Sequence, residues 1–277
     1  MVKNKVYSIT KIVRLIVLKI ESKENKLFKD TKKLKEKKWR IKNKKYLIEG
    51  VRIVEEAIKA KVKIDAIFLE EDLEDARINA FLEGQSFNSY VLSKELFKSL
   101  CSTEAPQGII AIVDLSNSIE KKSGNFYILA DKVQDPGNMG TIIRTAHAAN
   151  AKGVIITKGT VDIYNEKTIR STMGSIFYLP VIEDQDLEFT KKLIDNGYKL
   201  LVSALDAEKN FFEEDLSGSY IIAVGNEGNG VSDEIKDLAT VKVKIPMPGE
   251  AESLNVSVAC AIMIYEKVRQ NLSNAIE

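Results

Sequence analysis

The sequence predicts an α/β protein of two domains, and three observations carry that prediction. Short runs rich in β-branched residues, such as GVIIT at Gly153–Thr157 and YIIAV at Tyr220–Val224, alternate with stretches of helical periodicity. The polar stretch NSIEKKSGN at Asn117–Asn125 breaks that alternation and reads as a linker. A chain of 277 residues is long enough to bury two modest cores. These place a first domain at residues 1–118 and a second at 119–277.

In the first domain, Tyr46–Glu49 reads as a short strand and Val51–Ala60 as a helix with apolar residues at helical spacing. Ile64–Leu69 is an apolar strand and Leu73–Leu82 a polar helix. A strand at Tyr90–Leu92, a helix at Lys94–Leu100 and a strand at Ile109–Val113 complete a small α/β domain. In the second, strands are predicted at Phe126–Ala130, Gly153–Thr157, Lys199–Ala204, Tyr220–Val224 and Val241–Ile245, with helices between them. The last helix runs from about Ser253 to Arg269. Continuous apolar strands separated by helices imply a parallel sheet covered on both faces.

Composition narrows the function. Cys101 and Cys260 lack metal-ligand spacing, and His147 is the one histidine, which argues against a zinc site. Two unpaired thiols fit an intracellular, cytoplasmic protein. The apolar run Ile12–Ile20 is interrupted by Arg14 and closed by Lys19, too short to span a bilayer. The net charge of +1 conceals a lysine-dominated segment from Lys19 to Tyr46, so the rest of the chain is net acidic. Such a segment is either a solvated helical face or a polyanion-binding one. Trp39, Arg40 and Tyr46 among the charges favour nucleic acid.

Three stretches of the second domain place unusual residues where strands end, the position at which open α/β sheets hold ligands. In DKVQDPGNMGTIIRTAHAA at Asp131–Ala149, a strand leads through Pro136 and Gly137 into a helix carrying Arg144. Read for structure alone, Pro136 and Gly137 make a turn, Asn138 caps the helix and Arg144 is a surface charge. GNEGNGVS at Gly225–Ser232 is a glycine-rich loop without the G-x-G-x-x-G spacing, which argues against a dinucleotide oxidoreductase. Glu227 within it is a solvated turn residue or a functional carboxylate. In IPMPGEAESLNVSVA at Ile245–Ala259, Ser253 or Asn255 is placed to cap the final helix.

Taken in order, these stretches resemble the signature motifs of the SpoU/TrmH family of SPOUT RNA methyltransferases across Phe126–Arg269. The matching residues are Asn138, Gly140 and Arg144; GNEG at Gly225–Gly228; IPM at Ile245–Met247; and SLNVSVA at Ser253–Ala259. YNEKTIRSTMGSIFYLPV at Tyr164–Val181 is a secondary match. LIEGVRIVEEAIKA at Leu47–Ala60 and APQGIIAIV at Ala105–Val113 resemble the family's ribosomal-protein-like substrate-binding domain.

The resemblance implies a parallel-sheet SPOUT domain with a trefoil knot, preceded by that small α/β domain. It implies methyl transfer from S-adenosylmethionine to a ribose 2′-hydroxyl of structured RNA, with ribosomal RNA expected and transfer RNA the alternative. A non-catalytic RNA-binding protein of the same fold is the reading from another class. By position, Gly225, Ile245 and Leu254 would hold the cofactor, and Arg144, Asn138, Glu227, Ser253 and Asn255 would form the catalytic set. A guanidinium stays protonated, so Arg144 is expected to bind a phosphate and stabilise the developing alkoxide. Water, a phosphate oxygen or Glu227 would take the proton. Asn138 and Arg144 lie six residues apart and would not share a helical face. Either Asn138 lies in the turn, or the two serve different subunits' sites in a homodimer, as in the family. His147 matches no family motif and is expected to be packed or exposed without a catalytic role.

Overall fold

The computed structural model describes residues 17–115, 123–204, 206–249 and 251–273. The chain divides into two compact units, Met1–Ser118 with Tyr164–Phe177, and Ile119–Ile163 with Tyr178–Glu277. The expected boundary at 118/119 and residues 12–16 of the apolar run lie outside the described residues.

The first unit contains β1 (Val17–Ile20), α1 (Lys26–Lys33), α2 (Lys37–Asn43), β2 (Lys45–Glu49), α3 (Val51–Lys59), β3 (Ile64–Glu70), α4 (Ala76–Leu82), β4 (Ser89–Leu92), α5 (Lys94–Leu100) and β5 (Ile109–Asp114). Its sheet runs β1-β4-β3-β5-β2. β5 is antiparallel to β2 and β3, whereas β4 is parallel to β1 and β3. Helix α4 starts three residues later than the sequence suggests, because Asp75 accepts from the backbone N–H groups of Arg77 and Ile78 and so fixes the cap. The same unit takes in α7 (Glu166–Ser171), although that helix follows a strand of the other sheet in sequence. Tyr164 packs on Tyr46 with ring centroids 4.8 Å apart, and Arg170 donates to the Ser102 hydroxyl.

Of Trp39, Arg40 and Tyr46, the three residues expected to favour nucleic acid, two are not available to a ligand. Tyr46 and Arg40 are buried, at 3% and 5% exposure, and only Trp39 reaches the surface. Arg40 donates to the carbonyls of Leu34 and Lys35, 2.9 and 2.7 Å away, satisfying the end of α1 where it turns into α2.

The second unit contains β6 (Phe126–Ala130), α6 (Pro136–Ala148), β7 (Gly153–Ile156), β8 (Val181–Glu183), α8 (Glu188–Asp195), β9 (Lys199–Ser203), β10 (Tyr220–Val224), α9 (Asp233–Leu238), β11 (Val241–Val243) and α10 (Val256–Ser273). All six strands are parallel, in the order β11-β9-β10-β6-β7-β8. β10 is buried along its whole length, as a strand flanked on both sides and covered on both faces must be. The strand predicted to reach Ile245 stops at Val243, which leaves Ile245 free to point into a loop site. The final helix begins at Val256 because Asn255 caps it, accepting from the N–H groups of Ser257 and Val258 at 2.9 and 3.3 Å.

From β6 the chain builds outward through β7 to β8, then crosses back to lay β9, β10 and β11 on the other side. The direction reverses between β6 and β10, whose ends Ala130 and Val224 are paired in register. At such a switch point the two following loops diverge and open a crevice.

Candidate active site

The loops leaving β6 and β10 are tied together at that crevice. Asp131, 1% exposed, accepts from the Thr157 hydroxyl at 2.8 Å and from the Ser232 backbone N–H at 2.7 Å. Asn226 donates to the Lys132 carbonyl at 3.1 Å. One buried carboxylate thus connects the ends of β6 and β7 to the glycine-rich loop.

Asp135, not Asn138, caps α6. Its carboxylate accepts from the Asn138 N–H at 2.8 Å, with Pro136 in the first helical position, where no N–H is needed. The expected Pro-Gly turn is therefore already helix, and Asn138 lies in its first turn. Freed from capping, the Asn138 side chain bridges two other loops. Its Nδ2 donates to Glu227 at 3.1 Å; its Oδ1 accepts from Asn255 Nδ2 at 3.0 Å and from Ser257 Oγ at 3.3 Å.

Glu227 also accepts from the backbone N–H groups of Gln134 and Asp135, each at 3.3 Å. Burial by itself would raise its pKa. The donors from Asn138, Gln134 and Asp135 outweigh that effect and hold the carboxyl below the usual carboxylate range. The group is ionised at neutral pH.

Beside this network, at the carboxyl ends of β9, β10 and β11, lies a cavity of about 550 Å³. Gly225, Ile245 and Leu254 line it, as do Glu227 and Ser253. Asn138, Asn255 and Arg144 do not line it. Gly225 is required by the loop itself: a Cβ there would lie 2.0–2.1 Å from backbone atoms of Gly230 and Val231, which close the loop on themselves.

The cavity suits S-adenosylmethionine on three grounds. Its volume falls in the range of small-molecule sites. Its glycine and aliphatic walls let a ligand approach the main chain closely. Its charged lining residues are Asp206, Glu227 and Glu252 against Lys236 alone, an acidic excess that matches a sulfonium cation.

Arg144 sits on the outer face of α6, exposed, with no ion-pair partner among the described residues. His147 stacks on Tyr178, with ring centroids 5.2 Å apart and planes 2° from parallel, as expected for a packed histidine. Sequence reasoning passed over Asp131 and Ser257. Both lay inside the quoted motifs, and the signal that could have found them was a polar residue directly after a β-strand or inside an otherwise apolar helix.

A parallel sheet with crevice and cavity at strand carboxyl ends defines a small-molecule-binding α/β enzyme, here with a cavity whose acidic excess suits a sulfonium cofactor. The profile of the SpoU rRNA methylase family matches residues 125–265, and that of an MRM3-like substrate-binding domain matches residues 25–111. The chain belongs to the SpoU rRNA methylase family. It is 39% identical over 246 residues, covering 89% of this chain and 97% of the other, to the 23S rRNA (guanosine(2553)-2′-O)-methyltransferase RlmP of Bacillus subtilis. An S-adenosylmethionine-bound rRNA methyltransferase from Sinorhizobium meliloti superposes with a TM-score of 0.79 at 29% identity, over 91% of this chain and 98% of that one. The SpoU methyltransferase AviRb from Streptomyces viridochromogenes, also with its cofactor, gives 0.81 at 26% identity, over 90% and 99%. The chain is an S-adenosylmethionine-dependent RNA methyltransferase.

Proposed function

We propose that the protein methylates a ribose 2′-hydroxyl of ribosomal RNA, using Arg144 of one subunit at the cofactor cavity of the other. The observation that supports the two-subunit part is that Arg144 is exposed and forms no part of the cavity wall, combined with the outer surface of α10. Val258, Tyr265 and Leu272 recur every seven residues there and are 47%, 51% and 62% exposed. Positions seven apart share a helical face, so α10 presents an apolar stripe while Cys260, Met263 and Ile264 face its own core. α10 packs on α6, the helix that carries Arg144. A two-fold partner seated on this stripe would bring a second Arg144 close to the first subunit's site.

Ribosomal RNA as substrate is supported by the RlmP likeness along nearly the whole chain and by the substrate-binding domain profile. Within the site, Gly225, Ile245 and Leu254 would hold the cofactor, which supplies a methyl group already activated on sulfur. The chain's own work is positioning and charge stabilisation. Asn138 and Asn255 order the loops, Ser253 borders the substrate side of the cavity, and Arg144 binds the phosphate next to the reacting ribose. Glu227 already takes three donors and is a weakened base, so a water or a phosphate oxygen is the better proton acceptor. The trefoil threading of the carboxyl-terminal segment and a cytoplasmic location belong to the same reading. Among the described residues no helix is long and apolar enough to cross a membrane.

The test is methyl transfer from labelled S-adenosylmethionine to ribosomal and transfer RNA, with nuclease digestion to locate the label. Wild type should give a 2′-O-methyl nucleotide in ribosomal RNA. Arg144→Ala and Arg144→Lys should both lose it while keeping cofactor affinity. Co-expressing Arg144→Ala with Gly225→Val should restore about a quarter of wild-type activity, because half the dimers then hold one intact composite site. No restoration would place Arg144 in its own subunit's site.

A further inference from the structure

We infer that the α1–α2 elbow is an RNA-docking platform centred on Trp39, a proposal that rests on the RNA-methyltransferase reading and assigns one face of the first unit to the substrate. Residues 23–45 hold twelve lysines and arginines against three acids, so the rest of the chain is net negative by eight. Such a concentration makes this segment the strongest polyanion attractor in the chain.

The arrangement within the segment is more specific than its composition. Lys33 from α1 and Lys38 and Lys42 from α2 all reach the ring of Trp39, with their ammonium groups 5.0, 5.8 and 5.0 Å from its centroid. Asp30 and Glu36 partly neutralise Lys33 and Lys38, at 2.8 and 3.1 Å. Lys42 has no acid partner among the described residues, nor do Lys32, Lys37 and Lys44, and all four are exposed. Like charges gathered on one ring repel one another. A phosphate chain relieves that repulsion and releases its own counterions.

The platform is also fixed in place, which a merely solvated lysine face does not need. Phe28 and Leu34 are buried in the core of the first unit. Lys35 donates to the Cys101 carbonyl at 2.7 Å, and Arg40 closes the elbow on Leu34 and Lys35. The helices therefore present Trp39 and its lysines on a rigid base. An indole among ammonium groups offers a stacking surface for an unpaired base next to phosphate contacts, the combination that single-stranded or looped RNA uses.

Trp39 is the single tryptophan of the chain, so its fluorescence reports on this site alone. The experiment titrates the full-length protein with a synthetic RNA hairpin bearing a single-stranded loop. It follows Trp39 emission and, in parallel, filter binding at several salt concentrations. The expected result is saturable quenching at the same Kd that filter binding gives. The variant K33Q/K38Q/K42Q should lower the slope of log K against log salt by about two to three, since each phosphate contact contributes roughly 0.7–0.9. Trp39→Ala should weaken binding by about tenfold, the effect of losing one stacked base. S-adenosylhomocysteine affinity should stay unchanged in both variants, which reports an intact fold.

If the hairpin binds with an unaltered salt slope in the triple variant and leaves Trp39 emission unchanged, RNA docks elsewhere. The proposal is then overturned while the methyltransferase reading stands. If anionic phospholipid vesicles quench Trp39 and the hairpin does not, the surface serves a membrane and the proposal is equally overturned. Loss of RNA binding together with absence of methyl transfer to ribosomal RNA in the wild type would remove the underlying reading itself.

Discussion

Asn138 donates its side-chain N–H to the Glu227 carboxylate at 3.1 Å, and this bond joins the helix after β6 to the loop after β10. Because the Asn138 carbonyl simultaneously accepts from Asn255 and Ser257, the amide has a fixed orientation and a single residue holds three loops. An aspartate of the same shape would present acceptors on both sides. Asn138→Asp therefore sets two carboxylates against each other, and Asn138→Ala leaves a gap. Both should lower methyl transfer by about 10²–10³-fold, the usual cost of a lost preorganising donor. S-adenosylhomocysteine affinity should change little, since Asn138 does not line the cavity. Calorimetry beside the transfer assay checks this; an equal loss in both would mean that the cavity itself had collapsed.

Glu227 also makes a pH prediction. Its folded pKa lies below its unfolded value, so the folded state binds fewer protons in that interval. The carboxylate's contribution to stability is present above the unfolded value near 4.5 and is lost as pH falls through the lower folded value. Glu227→Gln should flatten the acid limb of the stability curve relative to wild type and leave stability differences constant between pH 6 and 8. Urea denaturation across pH measures it. A Glu227-dependent limb near pH 7 in the rate profile would instead make it the proton acceptor.

Asp131 is the buried hinge of the same crevice. Asp131→Ala leaves the Ser232 N–H and the Thr157 hydroxyl without their acceptor, and each such loss costs about 1–3 kcal/mol. The denaturation midpoint should fall accordingly. Asp131→Asn keeps one acceptor and should cost less. Equal destabilisation by the two substitutions would show that charge, and not the acceptor geometry, matters at this position.

Gly225→Ala tests the loop directly. The new methyl group would meet Gly230 and Val231 backbone atoms at 2.0–2.1 Å, so the loop must open and the cavity wall must move. S-adenosylhomocysteine affinity should drop at least about tenfold, equivalent to about 1.4 kcal/mol. Gly249→Ala, where a Cβ meets nothing within 4 Å, should bind normally and serves as the control.

Much of the fold was legible because local rules decide it. Phe126–Ala130 and Tyr220–Val224 are strands at the predicted bounds, since continuous β-branched and apolar runs suit a strand buried on both faces. Helix Lys94–Leu100 likewise begins where Ser93 caps it. Two helix starts turned on competition between caps. Asp135 took the role open to Asn138, and Asn255 rather than Ser253 set the start of the last helix, choices that depend on where each carboxylate or amide points.

The sequence by itself determined the α/β class, the parallel sheet, the three motif-bearing loops and, through those motifs, the family and its cofactor. These follow from periodicity, turn chemistry and residue identity, all of which are local along the chain. Only the tertiary structure decided which motif residues meet. It set Asn138 against Glu227 and Asn255, gave Asp131 its place between β7 and the glycine-rich loop, and left Arg144 out of the cavity wall. It also buried Tyr46 and Arg40 while leaving Trp39 at the surface among its lysines. The physical reason is that hydrogen bonds and burial between residues about 90–120 positions apart depend on strand order and crossover direction. No pattern along the chain encodes those separations.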